Sequence, residues 1–247
     1  MKLPRSLSVA LQFLTTLPVK VDGEVTPREI GRSLLYYPLV GAAIGALLAG
    51  LGLLLADAPG LLAAALLVTA WAGITGALHL DGLADSADAL LGGLGDRERS
   101  LAIMKDPNAG PMGVTALVLV LLLKCAALVP LLAQGHWALL LAAPVLGRAA
   151  LVALFLSTPY VRPGGLGAAL AEHLPREAAR KVLWATGLVL LPIAGLDLLW
   201  PLATAAVIFL LLRHLLLRRL GGTTGDTAGA LLELVETAAL CAAALAV

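Results

Sequence analysis

The sequence predicts an all-α fold: a polytopic integral membrane bundle of about seven transmembrane helices, with the N-terminus in the cytoplasm. Of the 247 residues, 60% are hydrophobic and only 13% are charged, which is more apolar than a soluble domain requires. Apolar stretches of about 20 residues, the length that crosses a bilayer as a helix, recur along the chain. Among the connections between these stretches, only alternate ones contain lysine or arginine, as expected where positive loops stay in the cytoplasm. These observations predict a single integral membrane domain over residues 1–247.

The first 30 residues predict an interfacial or re-entrant segment. The segment is basic, and its apolar stretch, Leu7 to Val19, is short and is interrupted by Gln12 and Pro18. A helix of that kind lies at the membrane surface more readily than it crosses the bilayer. Because no small-residue cleavage site is evident, the segment is not interpreted as a signal peptide.

Seven apolar stretches predict the spans. The connections after the second, fourth and sixth spans contain Lys or Arg, whereas those after the first, third and fifth contain neither. Every polar segment then lies on the cytoplasmic side. In the first span Gly41, Gly45, Ala49 and Gly52 recur every three or four residues, which predicts a closely packed helix face. The predicted spans are 34–56, 60–80, 112–133, 137–158, 182–197, 198–217 and 228–247.

Three aspartates occur at the end of the second span. Asp81, Asp85 and Asp88 stand at positions i, i+4 and i+7, so a continuing helix places all three within about 60° of one another. Like charges so close repel one another unless a cation lies among them. An all-carboxylate site suits Mg²⁺, whereas Zn²⁺ usually takes His or Cys. The three aspartates therefore predict a magnesium site.

Two turn-rich segments lead into later spans and predict phosphate contacts. They are Met104 to Gly113 and Gly221 to Asp226, and each places free backbone N–H groups at a helix N-terminus, where phosphate binds readily. Asp106 can also simply initiate a turn, and Asp226 can be only an N-cap; both alternatives stay open. The candidate substrate-binding residues of these segments are Lys105, Asn108, Gly110, Gly222, Thr223, Thr224 and Asp226.

Two basic residues lie near the middle of predicted spans, Lys124 in the third and Arg148 in the fourth. An unpaired guanidinium there costs about 2.5 to 3.5 kcal/mol on insertion scales. Arg148 therefore needs either a bundle-facing carboxylate or a substrate phosphate, and its planar donor fork suits both. Arg148 is accordingly a candidate for substrate binding, whereas Lys124 has no neighbouring motif.

Four segments, in this order, resemble the cobalamin synthase family. They are QFLTTLPV from Gln12, HLDGLADSADALLGG from His79, IMKDPNAGPMGV from Ile103 and LGGTTGD from Leu220, and the resemblance covers essentially the whole chain. It implies a multi-pass inner-membrane enzyme of late cobalamin biosynthesis, an adenosylcobinamide-GDP ribazoletransferase with its active site facing the cytoplasm. Such an enzyme depends on Mg²⁺ and joins adenosylcobinamide-GDP to α-ribazole or α-ribazole 5′-phosphate with release of GMP.

The implied reaction assigns roles to the candidates. Mg²⁺ on Asp81, Asp85 and Asp88 would neutralise the diphosphate and stabilise GMP as the leaving group. Asp88 or Asp106 would take a proton if the attacking group is a hydroxyl, so the expected catalytic set is these four aspartates. The expected partners are the corrinoid nucleotide, the ribazole and the lipid bilayer. Nucleic acid is not expected, because no basic stripe or nucleic-acid motif occurs, and a homo-oligomer is compatible with the sequence.

Two other functions remain as alternatives. CDP-alcohol phosphatidyltransferases also hold Mg²⁺ on an aspartate-rich helix end, but this chain has Asp85-Ser86 where their Ala-Arg pair is expected and Leu78 where their first aspartate is expected. An ion-coupled transporter would bind its ion at a broken helix near the midplane. The acids here cluster at one mouth of the bundle, and no inverted repeat is visible.

Overall fold

The computed structural model describes residues 3–246, and over them the fold is all-helical, as predicted. Twelve α-helices and two short 3₁₀ turns, Leu34–Tyr36 and Gly195–Leu198, follow one another. The described residues contain one isolated β-bridge, between Tyr160 and Thr223. The helices are α1 (Arg5–Leu14), α2 (Pro27–Ser33), α3 (Tyr37–Leu54), α4 (Gly60–Thr75), α5 (Leu78–Gly92), α6 (Arg97–Ile103), α7 (Pro111–Ala133), α8 (Trp137–Ser157), α9 (Gly165–Glu172), α10 (Arg176–Ala194), α11 (Leu199–Leu220) and α12 (Gly225–Ala246).

Five helical stretches of the described chain are long and apolar enough to cross a bilayer, and a sixth is added if α4 and α5 count as one bent span. One of the five, Arg176–Leu220, has 45 residues. At 1.5 Å per residue it is about 67 Å long, roughly twice the hydrocarbon thickness of a bilayer. Gly195 (φ +63°) and the 3₁₀ turn divide it into α10 and α11. The multi-pass character is confirmed, whereas the count of seven and the orientation of the N-terminus stay predictions.

The second predicted span, 60–80, is wrong at its end. After α4 the chain bends by 92°, and α5 begins as a separate helix. The bend is made by Gly76 and Ala77, whose φ angles are +61° and +55°. The sequence does not mark Ala77 for this role, because alanine rarely adopts positive φ. Asp81 therefore lies in the first turn of a new helix, not at the end of a membrane span.

The centre of the bundle is formed by α8 and α12. α3 packs against α8 where Gly41 and Gly45 lie beside the α8 backbone at Pro144 and Leu141, so the predicted close packing of the first span is confirmed. α12 packs against α5, α7, α8 and α11 and is buried at most positions. Because α12 is surrounded in this way, any charged side chain along it must find its partner inside the bundle.

Four charged side chains meet inside the bundle, on α7, α8 and α12. Lys124 Nζ lies 2.6 Å from Glu233 Oε2 and 2.8 Å from Glu236 Oε2, and Arg148 pairs with the other carboxylate oxygen of Glu236. Each of the four side chains is at most 5% exposed. Lys124 Nζ also lies 4.3 Å from the ring centre of Trp71, a cation–π distance. Two positive and two negative charges therefore balance within the core.

The N-terminal segment contains α1, whose 10 residues are too few to cross a bilayer, and α2, which runs through the first 3₁₀ turn into α3 as part of the 28-residue candidate span Pro27–Leu54. α1 buries Ala10 and Leu14 in the core of the bundle. The Arg5 side chain donates a hydrogen bond to Glu29 at 2.6 Å and joins the two helices. The interfacial or re-entrant character of the first 30 residues stays a prediction.

Candidate active site

The crossing of α5 and α12 brings Asp81 and Asp226 to one cavity. At the crossing Gly82 lies against Asp226, so closely that a Cβ on Gly82 would stand 2.7 Å from the Asp226 carbonyl oxygen. A residue without a side chain is therefore needed at position 82. Gly229, about one turn further along α12, lies against the backbone of His79. Asp81 and Asp226 consequently line the same cavity, of about 190 Å³, although they are far apart in sequence.

Negative charge is in excess at the mouth of this cavity. Burial, together with the charges of Asp81, Asp226 and Asp88, raises the pKa of Asp85 to about 6, and Arg162 opposes the rise. Arg162 Nη2 lies 2.7 Å from Asp226 Oδ2. Four carboxylates and one guanidinium therefore act on one another here, and such an imbalance favours the binding of a cation.

Asp88 makes a contact that its spacing in the sequence does not reveal. Its Oδ2 accepts a hydrogen bond from the Gly110 backbone N–H at 2.7 Å, and its Oδ1 accepts one from the Gly113 N–H at 2.9 Å. These N–H groups open α7, where backbone donors lack partners within the helix. Gly110 therefore donates its N–H to Asp88, and Asp88 is the one predicted metal ligand whose two oxygens are already engaged.

The three predicted metal ligands do not form a closed cage. Among residues 3–246, no three His, Cys, Asp or Glu side chains are close enough to hold a metal ion by themselves. Mg²⁺ usually binds through one or two carboxylates, with water and substrate phosphates as its other ligands. Asp81, which is exposed, and Asp85, which is half-buried, offer oxygen donors of that kind. The donor set fits Mg²⁺ in a site that a phosphate-bearing substrate completes.

The turn before α12 is a packed structure, not an open phosphate loop. The Thr223 N–H donates to the Pro159 carbonyl at 2.8 Å, and the Thr223 carbonyl accepts from the Val161 N–H at 2.9 Å. Gly222 lies so close to the Pro159 carbonyl oxygen that a Cβ would overlap it. Thr223 and Thr224 are both fully buried. Their hydroxyl groups therefore face the protein, and the predicted substrate contacts of these two residues are not supported.

Thr224, not Asp226, is the N-cap of α12. Thr224 Oγ1 accepts from the Thr227 N–H at 3.2 Å, and Thr227 Oγ1 accepts from the Thr224 N–H at 2.8 Å. This reciprocal pair is a capping box. The N-cap alternative for Asp226 is thus wrong, and its carboxylate is free to pair with Arg162.

On the loop between α6 and α7, Asp106 initiates a turn. Asp106 Oδ1 accepts from the Asn108 backbone N–H at 3.0 Å and from the Asn108 side-chain amide at 2.8 Å. These hydrogen bonds hold the pKa of Asp106 below its ordinary value. Lys105, Asp106 and Asn108 are all exposed. Asp106 therefore initiates a turn, which was the alternative to a functional role. Its catalytic role and the substrate contacts of Lys105 and Asn108 stay predictions.

Arg148 lies outside the site. It is fully buried and pairs with Glu236, so the structure provides the bundle-facing carboxylate rather than a position for a substrate phosphate. Lys124, which had no neighbouring motif in the sequence, belongs to the same cluster. Both partner carboxylates are visible in the sequence of the last helix, but contacts between helices cannot be inferred from spacing within one of them.

Arg162 is a residue of the site that the sequence pattern did not single out. It follows α8, in a segment that the bridge between Tyr160 and Thr223 holds against the turn before α12. Its Nη2 contacts Asp226, and its Nε is buried without a hydrogen-bond partner. A guanidinium with an unused donor is suited to a phosphate oxygen. The sequence feature that could have indicated Arg162 is its position just after a predicted span and before Pro-Gly-Gly.

Comparisons with known proteins agree over nearly the whole chain. The model of a family described as cobalamin-5-phosphate synthase matches residues 6–244. Adenosylcobinamide-GDP ribazoletransferases from Pseudomonas fluorescens and Pseudomonas putida are 60% identical over 237 and 238 residues, which cover 96% of this chain and 98% of each relative. The enzyme of the same name from Pseudomonas syringae is also 60% identical, with the same coverage. No solved structure matches the chain.

Proposed function

The chain belongs to the cobalamin-5-phosphate synthase family, and on that premise we propose that it is a Mg²⁺-dependent adenosylcobinamide-GDP ribazoletransferase of the inner membrane. It joins adenosylcobinamide-GDP to α-ribazole or α-ribazole 5′-phosphate and releases GMP. The observation that carries the proposal is the identity of 60% with enzymes of that name across 96% of the chain. The acidic mouth between α5 and α12 supports it, because a diphosphate substrate needs a bound cation there.

Asp81 and Asp85 would hold the metal ion in this proposal. When bound, Mg²⁺ supplies charge neutralisation of the diphosphate and stabilises GMP as the leaving group. Arg162, whose Nε has no hydrogen-bond partner, would donate to a phosphate oxygen in this proposal. Asp226 pairs with Arg162 and holds it in position, and Asp88 fixes the start of α7 beside the site.

The proposed reaction exchanges one bond at phosphorus for another. A ribose hydroxyl of the ribazole forms a bond to the phosphorus on the cobinamide side, and the bond from that phosphorus to the oxygen of GMP breaks. The attacking hydroxyl is not the 5′ group, because that position carries a phosphate in one of the two acceptors. Its proton must pass to a base, for which Asp88 and Asp106 stay the predicted residues.

A two-substrate turnover assay tests the proposal. Purified full-length protein in lipid nanodiscs, given adenosylcobinamide-GDP and α-ribazole, should release GMP only when Mg²⁺ is present. Asp81→Asn and Asp85→Asn should each lower turnover on the order of 100-fold, by analogy with the loss of single electrostatic groups in other active sites. Asp57→Asn, on the exposed connection between α3 and α4, is the matched control. Near-normal turnover of both site variants at limiting Mg²⁺ would show that Asp81 and Asp85 are only solvated residues on a helix face and do not bind the metal ion.

The cytoplasmic placement of the site is a separate part of the proposal. It rests on the alternation of Lys- and Arg-containing connections along the sequence. Single cysteines introduced at positions 85 and 226 should react with a membrane-impermeant thiol reagent only when the reagent reaches the cytoplasmic side. Labelling from the periplasmic side alone would reverse the proposed orientation.

A further inference from the structure

The segment QFLTTLPV, one of the four that resemble the family, contains none of the charged residues of the candidate site. It covers the end of α1 and the connection that follows. Its two threonines make different contacts. The Thr15 hydroxyl donates to the Leu11 carbonyl of α1 itself at 2.7 Å, whereas Thr16 contacts the end of α4. Thr16 therefore joins the N-terminal segment to the bend that precedes α5, the helix of the three predicted metal ligands.

Thr16 closes the last turn of α4. Its backbone N–H donates to the Ile74 carbonyl at 2.8 Å, and its Oγ1 donates to the Gly73 carbonyl at 3.0 Å. Carbonyl groups in the last turn of a helix lack partners within the helix, and here the chain bends by 92° just beyond them. The Thr16 methyl group also lies beside the bend, since a Cβ on Gly76 would stand 3.0 Å from Thr16 Cγ2. A residue 57 positions before Gly73 thus contacts the bend through two hydrogen bonds and a methyl group.

The bend needs such contacts, because it contains a residue in an unfavourable conformation. Ala77 has a φ of +55°, which is costly for a residue with a Cβ and persists only where the surrounding structure holds it. The Ala77 carbonyl accepts a hydrogen bond from the Asp81 backbone N–H at 3.0 Å. The first turn of α5, with Asp81 in it, is therefore built directly on the bend. A change in the bend changes the direction in which α5 leaves it and moves Asp81.

We propose that Thr16 is a positioning residue for the candidate metal site: it fixes the bend between α4 and α5, and the bend fixes Asp81. This role rests on the proposed function, in which Asp81 holds Mg²⁺. Thr16 does not line the cavity beside Asp81 and Asp226, so it acts through Asp81 and not on a substrate. The contact of Gly82 with Asp226 also holds α5. Loss of the Thr16 hydroxyl should therefore loosen the position of Asp81 without releasing α5.

The Mg²⁺ dependence of turnover tests this role. Thr16 is exposed, so Thr16→Val removes the hydroxyl at nearly constant shape, and Thr16→Ser retains it. The matched control is Thr69→Val, because Thr69 is also exposed and its hydroxyl donates to the Ala65 carbonyl of α4 at 2.8 Å, away from the bend. GMP release is measured with both substrates and full-length protein in nanodiscs.

Thr16→Val should raise the Mg²⁺ concentration for half-maximal turnover about three- to tenfold, the range that corresponds to one hydrogen bond. Excess Mg²⁺ should restore turnover, because a loosened site is filled by mass action. Thr16→Ser and Thr69→Val should stay within twofold of the wild type. A role in stability alone would instead lower turnover equally at every Mg²⁺ concentration, together with the melting temperature.

A distance measurement tests the bend without substrate or metal. Leu61 and Leu91 are exposed and lie near the far ends of α4 and α5. Spin labels on cysteines at these two positions, in a background without the two native cysteines, report how the helices are oriented to each other. Double electron–electron resonance should give a broader distance distribution for Thr16→Val than for Thr16→Ser or Thr69→Val.

The two measurements together decide the proposal. An unchanged distance distribution in Thr16→Val would overturn it. A broader distribution with an unchanged Mg²⁺ dependence would also overturn it, since Asp81 would then not depend on the bend. Thr16→Ala, which lacks the same hydroxyl, gives the same comparison if Thr16→Val does not fold. A wild-type protein that releases no GMP would instead contradict the proposed function, and the distance measurement would still decide whether Thr16 fixes the bend.

Discussion

The acidic residues at the start and in the middle of α12 lie in opposite electrostatic surroundings. Glu233 and Glu236, inside the bundle, meet Lys124 and Arg148 at contact distance. Asp226, at the start of the same helix, belongs to a set of four aspartates that has one arginine beside it. The inner glutamates and their two basic partners carry no net charge and are buried. The four aspartates and their one arginine carry a net negative charge and are partly exposed.

The difference distinguishes charges that hold the fold together from charges that await a ligand. A buried ion pair has already lost its hydration, so each charge depends on its partner within the protein. A cluster of like charges without enough counter-charge is destabilising by itself, and binding of a cation removes that repulsion. We therefore expect neutralising substitutions in the two groups to have opposite consequences: loss of stability inside the bundle and loss of activity at the mouth.

The largest effect on stability is expected from Glu236→Gln. The substitution leaves Arg148 fully buried without a counter-charge and weakens the binding of Lys124, a change that typically costs about 3 to 5 kcal/mol. Asp81→Asn likewise replaces a carboxylate by an amide of the same shape, but at the exposed mouth of the cavity. It should change the free energy of unfolding by no more than about 0.5 kcal/mol. Thermal unfolding of the two variants in one detergent measures the comparison. Equal melting temperatures would show that the inner cluster does not hold the helices together.

Much of the fold could be predicted, because hydropathy and helix-breaking residues act locally. α3, α7 and α8 begin and end within a few residues of their predicted bounds, and α5 ends at Gly92, the first of three glycines within four residues. The bend between α4 and α5 could not be predicted, since it depends on a left-handed conformation of Ala77, which alanine rarely adopts. The partners of Lys124 and Arg148 could likewise not be predicted, because they lie on another helix.

The next largest effect is expected from Asp226→Ser, which removes the carboxylate beside Arg162. Because Thr224 caps α12, a serine at position 226 should leave the helix start intact. Arg162 then loses the charge that pairs with it beside the proposed metal site, so turnover should fall by at least about tenfold, by analogy with single electrostatic groups in other active sites, and the melting temperature should fall less than in Glu236→Gln. The two-substrate assay with a thermal control measures both quantities. Full activity of Asp226→Ser would limit the site to the aspartates of α5.

The candidate site could be predicted as a set of segments but not as a set of contacts. α5, the loop before α7 and the turn before α12 do come together, as the motifs indicated, through the contact of Asp88 with Gly110 and that of Gly82 with Asp226. Which side chain caps a helix and which faces the cavity depends on these crossings. For that reason Thr224 could not be distinguished from Asp226 as the N-cap, and Arg162 was missed.

The smallest effect is expected from Thr224→Ala, which separates capping from catalysis at the start of α12. The variant loses the side-chain acceptor for the Thr227 N–H, and such a loss costs about 1 kcal/mol at an N-cap. Thr224 is fully buried and has no surface toward the cavity, so the KM for each substrate should not change. The melting temperature should therefore fall by a few degrees while turnover, measured well below that temperature, stays near that of the wild type. A loss of turnover comparable to that of Asp226→Ser, without a change in melting temperature, would mean that the hydrogen bond from the Thr224 hydroxyl to Asp226 Oδ2, 3.5 Å long, holds that carboxylate in its active position.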